Sequence, residues 1–200
     1  MFQTFRHIRL QEISDVNHLL SPEQLQNPIS LNSPAIDVMT DFLKVAPVSI
    51  SQETQVDEAL EWMKSQHVRL LFATGADSLF SGVVTARDIM GSSVMSYMQT
   101  HGLPREYVLV KHVMIAKEQL LALTYEQLKH AQIGDMMLTL KDSGEQHIVV
   151  IDESLAQVKR IRGIISASDL SRKLKVGFEI MYEAKSFAEI ERVVTHGGGI

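Results

Sequence analysis

The sequence contains no cysteine, a single tryptophan and only five prolines among its 200 residues. The absence of cysteine excludes disulfides, thiolate metal sites and cysteine nucleophiles. An excess of positive charge is also missing, because 19 Lys and Arg face 24 Asp and Glu, for a formal net charge of −5. Surfaces that bind duplex nucleic acid usually carry a basic excess, so we expect no nucleic acid as the main partner.

Long apolar runs are lacking as well. The longest, such as Leu70–Ala73 and Ile148–Ile151, are far too short to cross a bilayer. Residues 1–15 lack the apolar stretch and the small-residue cleavage site of a secretory signal. Hydrophobic residues make up 45% and charged residues 22% of the chain, close to the average soluble protein. We therefore expect a soluble cytoplasmic protein without a membrane partner.

An internal repeat is present. The segments Gly82–Ile89 and Gly163–Leu170 both read Gly, two β-branched apolar residues, Thr or Ser, Ala, any residue, Asp and an aliphatic residue, at an offset of 81. A second correspondence, at an offset of 77, has the i, i+3, i+4, i+7 spacing of a buried helical stripe. It relates Val56, Ala59, Leu60 and Met63 to Ile133, Met136, Met137 and Leu140.

Two further landmarks keep the same order along the chain. The apolar runs Leu70–Ala73 and Ile148–Ile151 correspond at an offset of 78, and Val38-Met39 matches Val113-Met114 at an offset of 75. Small insertions in connecting loops explain why the offset changes. The sequence therefore predicts two tandem copies of one structural unit.

Each copy is predicted to contain an extended segment, a helix, two strands and a second helix, which makes the fold class α/β (α+β). In the first copy we expect a short strand at Ser49–Ser51 and longer strands at Arg69–Thr74 and Phe80–Val84. In the second copy we expect helix Ile133–Lys141, strands His147–Asp152 and Arg160–Ile165, and helix Asp169–Leu174. The predicted organisation is an N-terminal extension (1–33), repeat 1 (34–98), a linker (99–107), repeat 2 (108–175), and a C-terminal helix with a glycine-rich tail (176–200).

Three local predictions concern helix ends. Ser33 is expected to cap a helix whose first residue is Pro34. Thr54 and Asp57 are expected to form a capping box. A single helix is expected from Asp88 to about Met98.

The repeated motif has two interpretations. In the simpler one, Thr85-x-x-Asp88 and Ser166-x-x-Asp169 are capping boxes that need no ligand. In the other, the strand-to-helix turn presents N–H groups and a hydroxyl to a phosphate, and the carboxylate accepts hydrogen bonds from a ribose diol. Gly82 and Gly163 permit close backbone approach, either by a ligand or by another element.

The duplicated Gly-h-h-[Thr/Ser]-x-x-Asp motif, with a Val-Met pair at the front of each copy, resembles the CBS (cystathionine-β-synthase) domain. Two such domains in tandem form a Bateman module, and the resemblance covers about residues 34–175. It implies two βαββα-like repeats packed as a pseudo-twofold pair. It also implies two clefts that hold an adenosyl ligand such as AMP, ADP, ATP or S-adenosylmethionine.

The resemblance assigns a role to each matching residue. Asp88 and Asp169 would hold ribose hydroxyls, Thr85 and Ser166 would contact ribose or phosphate, and Arg87 would pair with phosphate. Ser168 stands where the first copy has Arg87, although Arg172 and Lys173 are nearby, so the Arg87 cleft is expected to be the better phosphate site. The adenine would lie near Thr40 and Pro47-Val48. The predicted ligand-binding residues are Thr40, Val48, Thr85, Arg87, Asp88, Ser166, Ser168 and Asp169.

The eight histidines show no metal-ligand spacing, so we expect neither a metal nor a prosthetic group. His67 and His147 flank the first core strand of the two copies, and at an offset of 78 Arg69 aligns with His147. Both histidines could reach the mouth of a cleft, but solvated strand ends are the favoured interpretation.

The sequence favours a stand-alone regulatory protein that binds an adenosyl ligand, has no catalytic activity and signals to an unidentified protein target by conformational change. The helix carrying Met95 and Met98 makes a homodimer plausible. Two alternatives stay open. One is an interaction or scaffold protein whose clefts hold no ligand, and the other is a small enzyme or a regulatory subunit of one.

Overall fold

A computed structural model describes residues 29–154 and 158–175, together with Ser14. The predicted C-terminal helix lies outside these residues. The helices are α1 (Val56–Ser65), α2 (Ala86–Met90), α3 (Ser92–His101), α4 (Tyr125–His130), α5 (Ile133–Ser143) and α6 (Ala167–Leu174). The strands are β1 (Thr40–Asp41), β2 (Ser49–Ser51), β3 (Leu70–Thr74), β4 (Phe80–Thr85), β5 (Ile115–Ala116), β6 (Ala122–Thr124), β7 (His147–Asp152) and β8 (Arg160–Ser166). Short 3₁₀ helices lie at Ala35–Val38, Arg105–Tyr107, Val110–His112 and Lys117–Gln119.

The strands form two four-stranded sheets with equivalent strand arrangements. The first has the order β2-β3-β4-β5 and the second has the order β1-β8-β7-β6. In each sheet the central pair is antiparallel, and β2 or β6 runs parallel to its neighbour. The remaining edge strand comes from the other half of the chain, since β5 pairs with β4 and β1 pairs with β8. The two repeats therefore exchange their first strands.

The two motif glycines make this exchange possible. A Cβ atom on Gly82 would lie under 3.0 Å from the carbonyl oxygen of Ile115, and one on Gly163 would lie equally close to that of Thr40. Backbone atoms of a paired strand cannot move aside without breaking the pairing. The close neighbour that requires glycine at both positions is therefore the exchanged strand.

Helices cover one face of each sheet and the other faces meet. The predicted helical stripes are buried or half-buried in α1 and buried in α5, in two separate core clusters. A third cluster joins the sheets, where Leu70, Phe72 and Val83 of the first sheet pack with Phe42, Ile161 and Ile164. This contact holds the repeats together as a pair with a pseudo-twofold arrangement, as the family resemblance implies.

Strand pairing corrects the alignment of the two copies. Leu70 pairs with Thr85 in the first sheet, and His147 pairs with Ser166 in the second. Thr85 and Ser166 are equivalent, so His147 is equivalent to Leu70, at an offset of 77. The prediction that Arg69 aligns with His147 is therefore wrong by one residue. Both offsets superpose apolar residues in sequence, and only the hydrogen-bonded register distinguishes them.

The predicted strands are confirmed within one residue at their ends, whereas two predicted caps are wrong. The first 3₁₀ helix begins at Ala35 with Pro34 as its cap, and the Ser33 hydroxyl accepts a hydrogen bond from the Ser30 N–H instead. Helix α1 begins at Val56 without a side-chain cap. The Val56 N–H donates to the Val108 carbonyl, and Asp57 pairs with Arg105, so Thr54 and Asp57 form no capping box.

The helix expected from Asp88 to about Met98 is broken at Gly91. This residue has extended backbone angles (φ −95°, ψ −160°) between α2 and α3. A Cβ atom there would lie 2.5 Å from the Arg87 carbonyl oxygen, which explains why glycine occupies the break.

In the described residues, no helix has the length and apolar character needed to cross a membrane.

Candidate functional site

The first of two large clefts, called cleft A, has a volume of about 600 Å³. It lies between the segment that follows β1, the chain entering β3, and the junction of β8 with α6. Its lining includes the apolar Phe42, Val45, Pro47, Val48, Leu70 and Ile164, and the polar Thr40, His67, Arg69, His147, Ser166, Ser168, Asp169 and Arg172.

The second, cleft B, has a volume of about 550 Å³ and is built from the pseudo-symmetric elements. It lies between the junction of β4 with α2, the segment from β5 to β6, and the turn between α5 and β7. Its lining includes the apolar Leu70, Val83, Ile115, Leu120, Leu121, Leu123 and Ile148, and the polar Thr85, Arg87, Asp88, Gln119, Thr139, Ser143, Glu145, Gln146 and His147.

The structure divides the eight predicted ligand-binding residues between these clefts. Thr40, Val48, Ser166, Ser168 and Asp169 line cleft A, whereas Thr85, Arg87 and Asp88 line cleft B. The front segment of repeat 1 therefore faces the motif of repeat 2. This arrangement follows from the strand exchange, because β1 lies on β8 and carries the segment after it to the far motif.

The motif in cleft B is a capping box. The Asp88 N–H donates to the Thr85 hydroxyl oxygen at 3.3 Å, and Asp88 Oδ2 accepts from the Thr85 N–H at 2.8 Å. The Thr85 hydroxyl also donates to Asp88 Oδ2, at 2.7 Å. The capping box predicted for the first copy is thus confirmed, and its hydrogen bonds satisfy backbone N–H groups at the start of α2.

The motif in cleft A is arranged differently, so the capping-box interpretation is wrong for the second copy. Ser166 makes no side-chain cap, and its hydroxyl bonds to the Ser168 hydroxyl at 2.7 Å. Asp169 Oδ1 instead accepts a hydrogen bond from Arg172 Nη2 at 2.6 Å. The second hydroxyl, which the first copy lacks, gives Ser166 an alternative partner to the Asp169 N–H.

Solved structures share this architecture. An uncharacterized conserved protein from Pyrococcus horikoshii is 21% identical, with a TM-score of 0.51 over 72% of this chain and 93% of that chain. Arabidopsis thaliana CBSX2 in complex with AMP is 21% identical, with a TM-score of 0.49 over 70% and 94% of the two chains. A CBS domain protein from Thermoplasma acidophilum is 16% identical, with a TM-score of 0.48 over 80% and 78%. This chain has the fold of a CBS-domain pair. No protein-family model and no curated protein matches the sequence.

His147 lies between the two clefts and lines both of them, as does Leu70. Burial lowers the pKa of His147 to about 4, and the nearby Arg69 acts in the same direction, whereas Asp169 and Asp88 oppose the shift. The imidazole is therefore neutral at neutral pH. The prediction of a solvated strand end is wrong for His147, because it is half-buried, lies at the position equivalent to the buried Leu70 and lines both clefts.

Arg162 is an important residue that sequence reasoning missed. Its Nε and Nη2 donate to the two carboxylate oxygens of Asp41 at 2.8 and 3.1 Å, and its Nη1 donates to Asp152 Oδ2 at 3.0 Å. The guanidinium also lies over the Tyr125 ring, 4.5 Å from its centroid. The hydrogen bonds from Arg162 lower the pKa of Asp41 to about 2. Arg162 thus fastens β1, and with it one wall of cleft A, to β8.

Nothing in the sequence marks this pair, because Asp41 and Arg162 are 121 residues apart.

Among the described residues, no cluster of three or more His, Asp or Glu has the geometry to hold a metal ion.

Proposed function

We propose that this CBS pair is a regulatory module that binds an adenosyl ligand, such as AMP, ADP, ATP or S-adenosylmethionine, and carries out no reaction itself. The observation that supports this proposal is the position of the duplicated motif. Each copy opens on a cleft of about 550–600 Å³, within the range of small-molecule sites, and each cleft also receives a segment from the other repeat.

The ligand would be held by the same kinds of group in both clefts. In cleft B, Asp88 would accept hydrogen bonds from the ribose hydroxyls and Arg87 would contact a phosphate. In cleft A, Asp169 would take the ribose role, with Ser166 and Ser168 as hydroxyl partners. The adenine ring would lie on the apolar wall after the exchanged strand, against Val48 in cleft A and Leu123 in cleft B.

Regulation would follow from the composition of the cleft walls. Each cleft contains elements of both repeats, so a ligand contacts the two halves of the pair together. A ligand shifts a conformational equilibrium only by the difference between its affinities for the two arrangements. The proposal includes a homodimer, a separate protein target and a cytoplasmic location.

One observation favours the interaction-scaffold alternative. Both motif carboxylates already have protein partners, Asp88 in its capping box with Thr85 and Asp169 in its pair with Arg172. These contacts stabilise the helix starts without any ligand. In the scaffold alternative the motif has only this structural role.

A thermal-shift panel on nucleotide-free protein tests the proposal. The panel holds AMP, ADP, ATP and S-adenosylmethionine, with wild type, Asp88→Ala and Asp169→Ala. A ligand at about 100 times its Kd adds roughly 2.7 kcal/mol of stability, which is a rise of roughly 5–10 °C in Tm for this chain length. We expect at least one adenosyl ligand to raise the Tm of wild type, and one of the two variants to lose that rise.

Asp135→Ala is the matched control. Asp135 also occupies the third position of a helix, where its carboxylate accepts from the Gln132 N–H, but it lines neither cleft. This variant should lose stability in the same way and keep the ligand response. A flat panel with wild type would overturn the proposal and support the scaffold alternative.

A further inference from the structure

The corrected register allows the walls of the two clefts to be compared position by position. His67 and Arg69 beside cleft A correspond to Gly144 and Gln146 beside cleft B, at the offset of 77. This alignment is supported by the backbone, because His67 and Gly144 both have positive φ (55° and 70°) at the end of equivalent helices. Equivalent positions therefore differ in charge.

The helix that follows each motif adds a second difference. At the motif offset of 81, Ser168 corresponds to Arg87, and Arg172 of cleft A corresponds to Gly91. The loss of one arginine in the second motif is thus accompanied by the gain of another, one turn further along α6.

The charges that line the clefts are consequently unequal. Among the described residues, cleft A is lined by two arginines, Arg69 and Arg172, against one carboxylate, Asp169. Cleft B is lined by one arginine, Arg87, against two carboxylates, Asp88 and Glu145. His67 lines cleft A alone and adds a ring N–H group that can donate a hydrogen bond to an anion. Cleft A is therefore the more favourable environment for an anion.

The two arginines that line cleft A come from different repeats. Arg69 precedes β3 in repeat 1, whereas Arg172 lies on α6 in repeat 2. The Arg172 side chain is 76% exposed, and its hydrogen bond to Asp169 uses Nη2 of a group that has five N–H donors. A guanidinium in this position can contact both the ribose-binding carboxylate and a phosphate chain.

Cleft B has features that suit a ligand of lower negative charge. The Thr85 hydroxyl donates its proton to Asp88 Oδ2, so in this arrangement it is no donor for a phosphate. The leucines of the segment from β5 to β6 supply an apolar mouth, where Leu121 is 90% exposed. An uncharged or positively charged substituent on the adenosyl group would meet Glu145 and Asp88 without repulsion.

We propose that cleft A is the polyphosphate site and takes a nucleoside di- or triphosphate, whereas cleft B takes an adenosyl ligand with no more than one phosphate. This inference rests on the proposed function and names the ligand class of each cleft. It reverses the expectation from the sequence, which noted Arg172 near Ser168 but favoured the cleft of Arg87. Arg69 enters the comparison only through the strand exchange and the register.

Isothermal titration of nucleotide-free protein with adenosine, AMP and ATP tests the inference, without divalent cations and at about 50 and 200 mM salt. We expect affinity for cleft A to rise with the number of phosphates, and the ATP affinity to fall with salt. In the double variant Arg69→Gln/Arg172→Gln the Kd for ATP should rise by about tenfold or more, and by more than in Arg87→Gln. The Kd for adenosine should change by less than about threefold in the double variant.

Three controls separate binding from folding. The charge-preserving variant Arg69→Lys/Arg172→Lys should keep most of the ATP affinity. Lys64→Gln removes a cation that lines neither cleft and should leave ATP binding unchanged. If the double variant does not fold, Arg69→Gln alone should still weaken ATP binding more than adenosine binding.

The outcomes distinguish this inference from the function on which it rests. If the wild type binds adenosine and ATP equally well, or if Arg87→Gln loses more ATP affinity than the double variant, the charge assignment is wrong and the proposed function stands. If no adenosyl compound binds the wild type, both proposals fail.

Discussion

His147 occupies in the second sheet the position that Leu70 occupies in the first. Leu70 pairs with Thr85 and His147 pairs with Ser166, so the two side chains are related by the pseudo-twofold arrangement of the repeats. Both line cleft A and cleft B. One copy of the repeat therefore places an ionisable ring where the other has an aliphatic side chain.

This exchange predicts a specific pH dependence of stability. The folded-state pKa of His147 is about 4, below the usual 6.5, so the unfolded chain binds the proton first as the pH falls. The contribution of neutral His147 is complete above pH 6.5 and is lost as the pH falls towards 4. We expect wild type to lose about 2 kcal/mol between pH 7 and pH 5 from this group, measured by urea unfolding.

The variant His147→Leu restores the residue of the first repeat and should flatten this pH dependence. His112, whose pKa is also lowered by burial, retains a smaller slope of the same sign. Gln146→Leu makes the same kind of replacement at the neighbouring residue, which carries no titratable group, so it is the matched control and should keep the wild-type slope. An unchanged slope in His147→Leu would show that His147 is not the group that titrates.

The exchanged strands depend on the two motif glycines. Gly82→Ala and Gly163→Ala each place a methyl group against a carbonyl oxygen of the neighbouring strand, at Ile115 and Thr40 respectively. We expect each variant to lose about 1–3 kcal/mol of stability in urea unfolding. Gly75→Ala is the control, because its nearest neighbour is the flexible Asp77 side chain at 3.2 Å, and it should lose less than about 0.5 kcal/mol. Equal losses in all three variants would contradict the role assigned to the exchange.

The Asp41–Arg162 pair should be the most costly ion pair to break. Both side chains are largely buried, at 12% and 15% exposure, and Arg162→Met would leave the carboxylates of Asp41 and Asp152 without their shared cation. We expect a loss of about 2–4 kcal/mol at pH 7, measured by urea unfolding.

The stability that the Asp41–Arg162 pair contributes is also lost at low pH. The pKa of Asp41 is lowered to about 2 in the folded state, so its contribution is present above the usual 3.8 and is lost as the pH falls from 3.8 to 2. Lys64→Met removes the exposed Lys64–Glu61 pair and should cost less than about 0.5 kcal/mol. Comparable costs for Arg162→Met and Lys64→Met would contradict the fastening role of Arg162.

The two copies of the motif should differ in their structural contribution. Thr85 accepts from the Asp88 N–H and completes a capping box, so Thr85→Ala should cost about 1 kcal/mol of stability. Ser166 makes no such cap, so Ser166→Ala should lose less stability than Thr85→Ala. Urea unfolding of the two variants at pH 7 gives both values. A larger loss in Ser166→Ala would contradict the asymmetry seen between the clefts.

The sequence by itself determined the repeat, the helical stripes and the strands, together with the places where the motifs end a strand. These features depend on residues close together in the chain, where periodicity and turn chemistry are sufficient. The burial of Ile133, Met136 and Leu140 on one helix face illustrates this. Thr85 and Asp88 likewise form their capping box within four residues.

The tertiary structure alone decided which segments share a cleft. The exchange of β1 and β5 brings Thr40 to the motif of repeat 2, the register makes His147 equivalent to Leu70 rather than to Arg69, and Arg162 meets Asp41. Pairing between strands far apart in the chain is set by backbone hydrogen bonds, which every residue except proline can make. A register shifted by one residue also superposes one apolar run on the other, so the sequence does not distinguish it. The charge of each cleft was therefore decided by the folded arrangement.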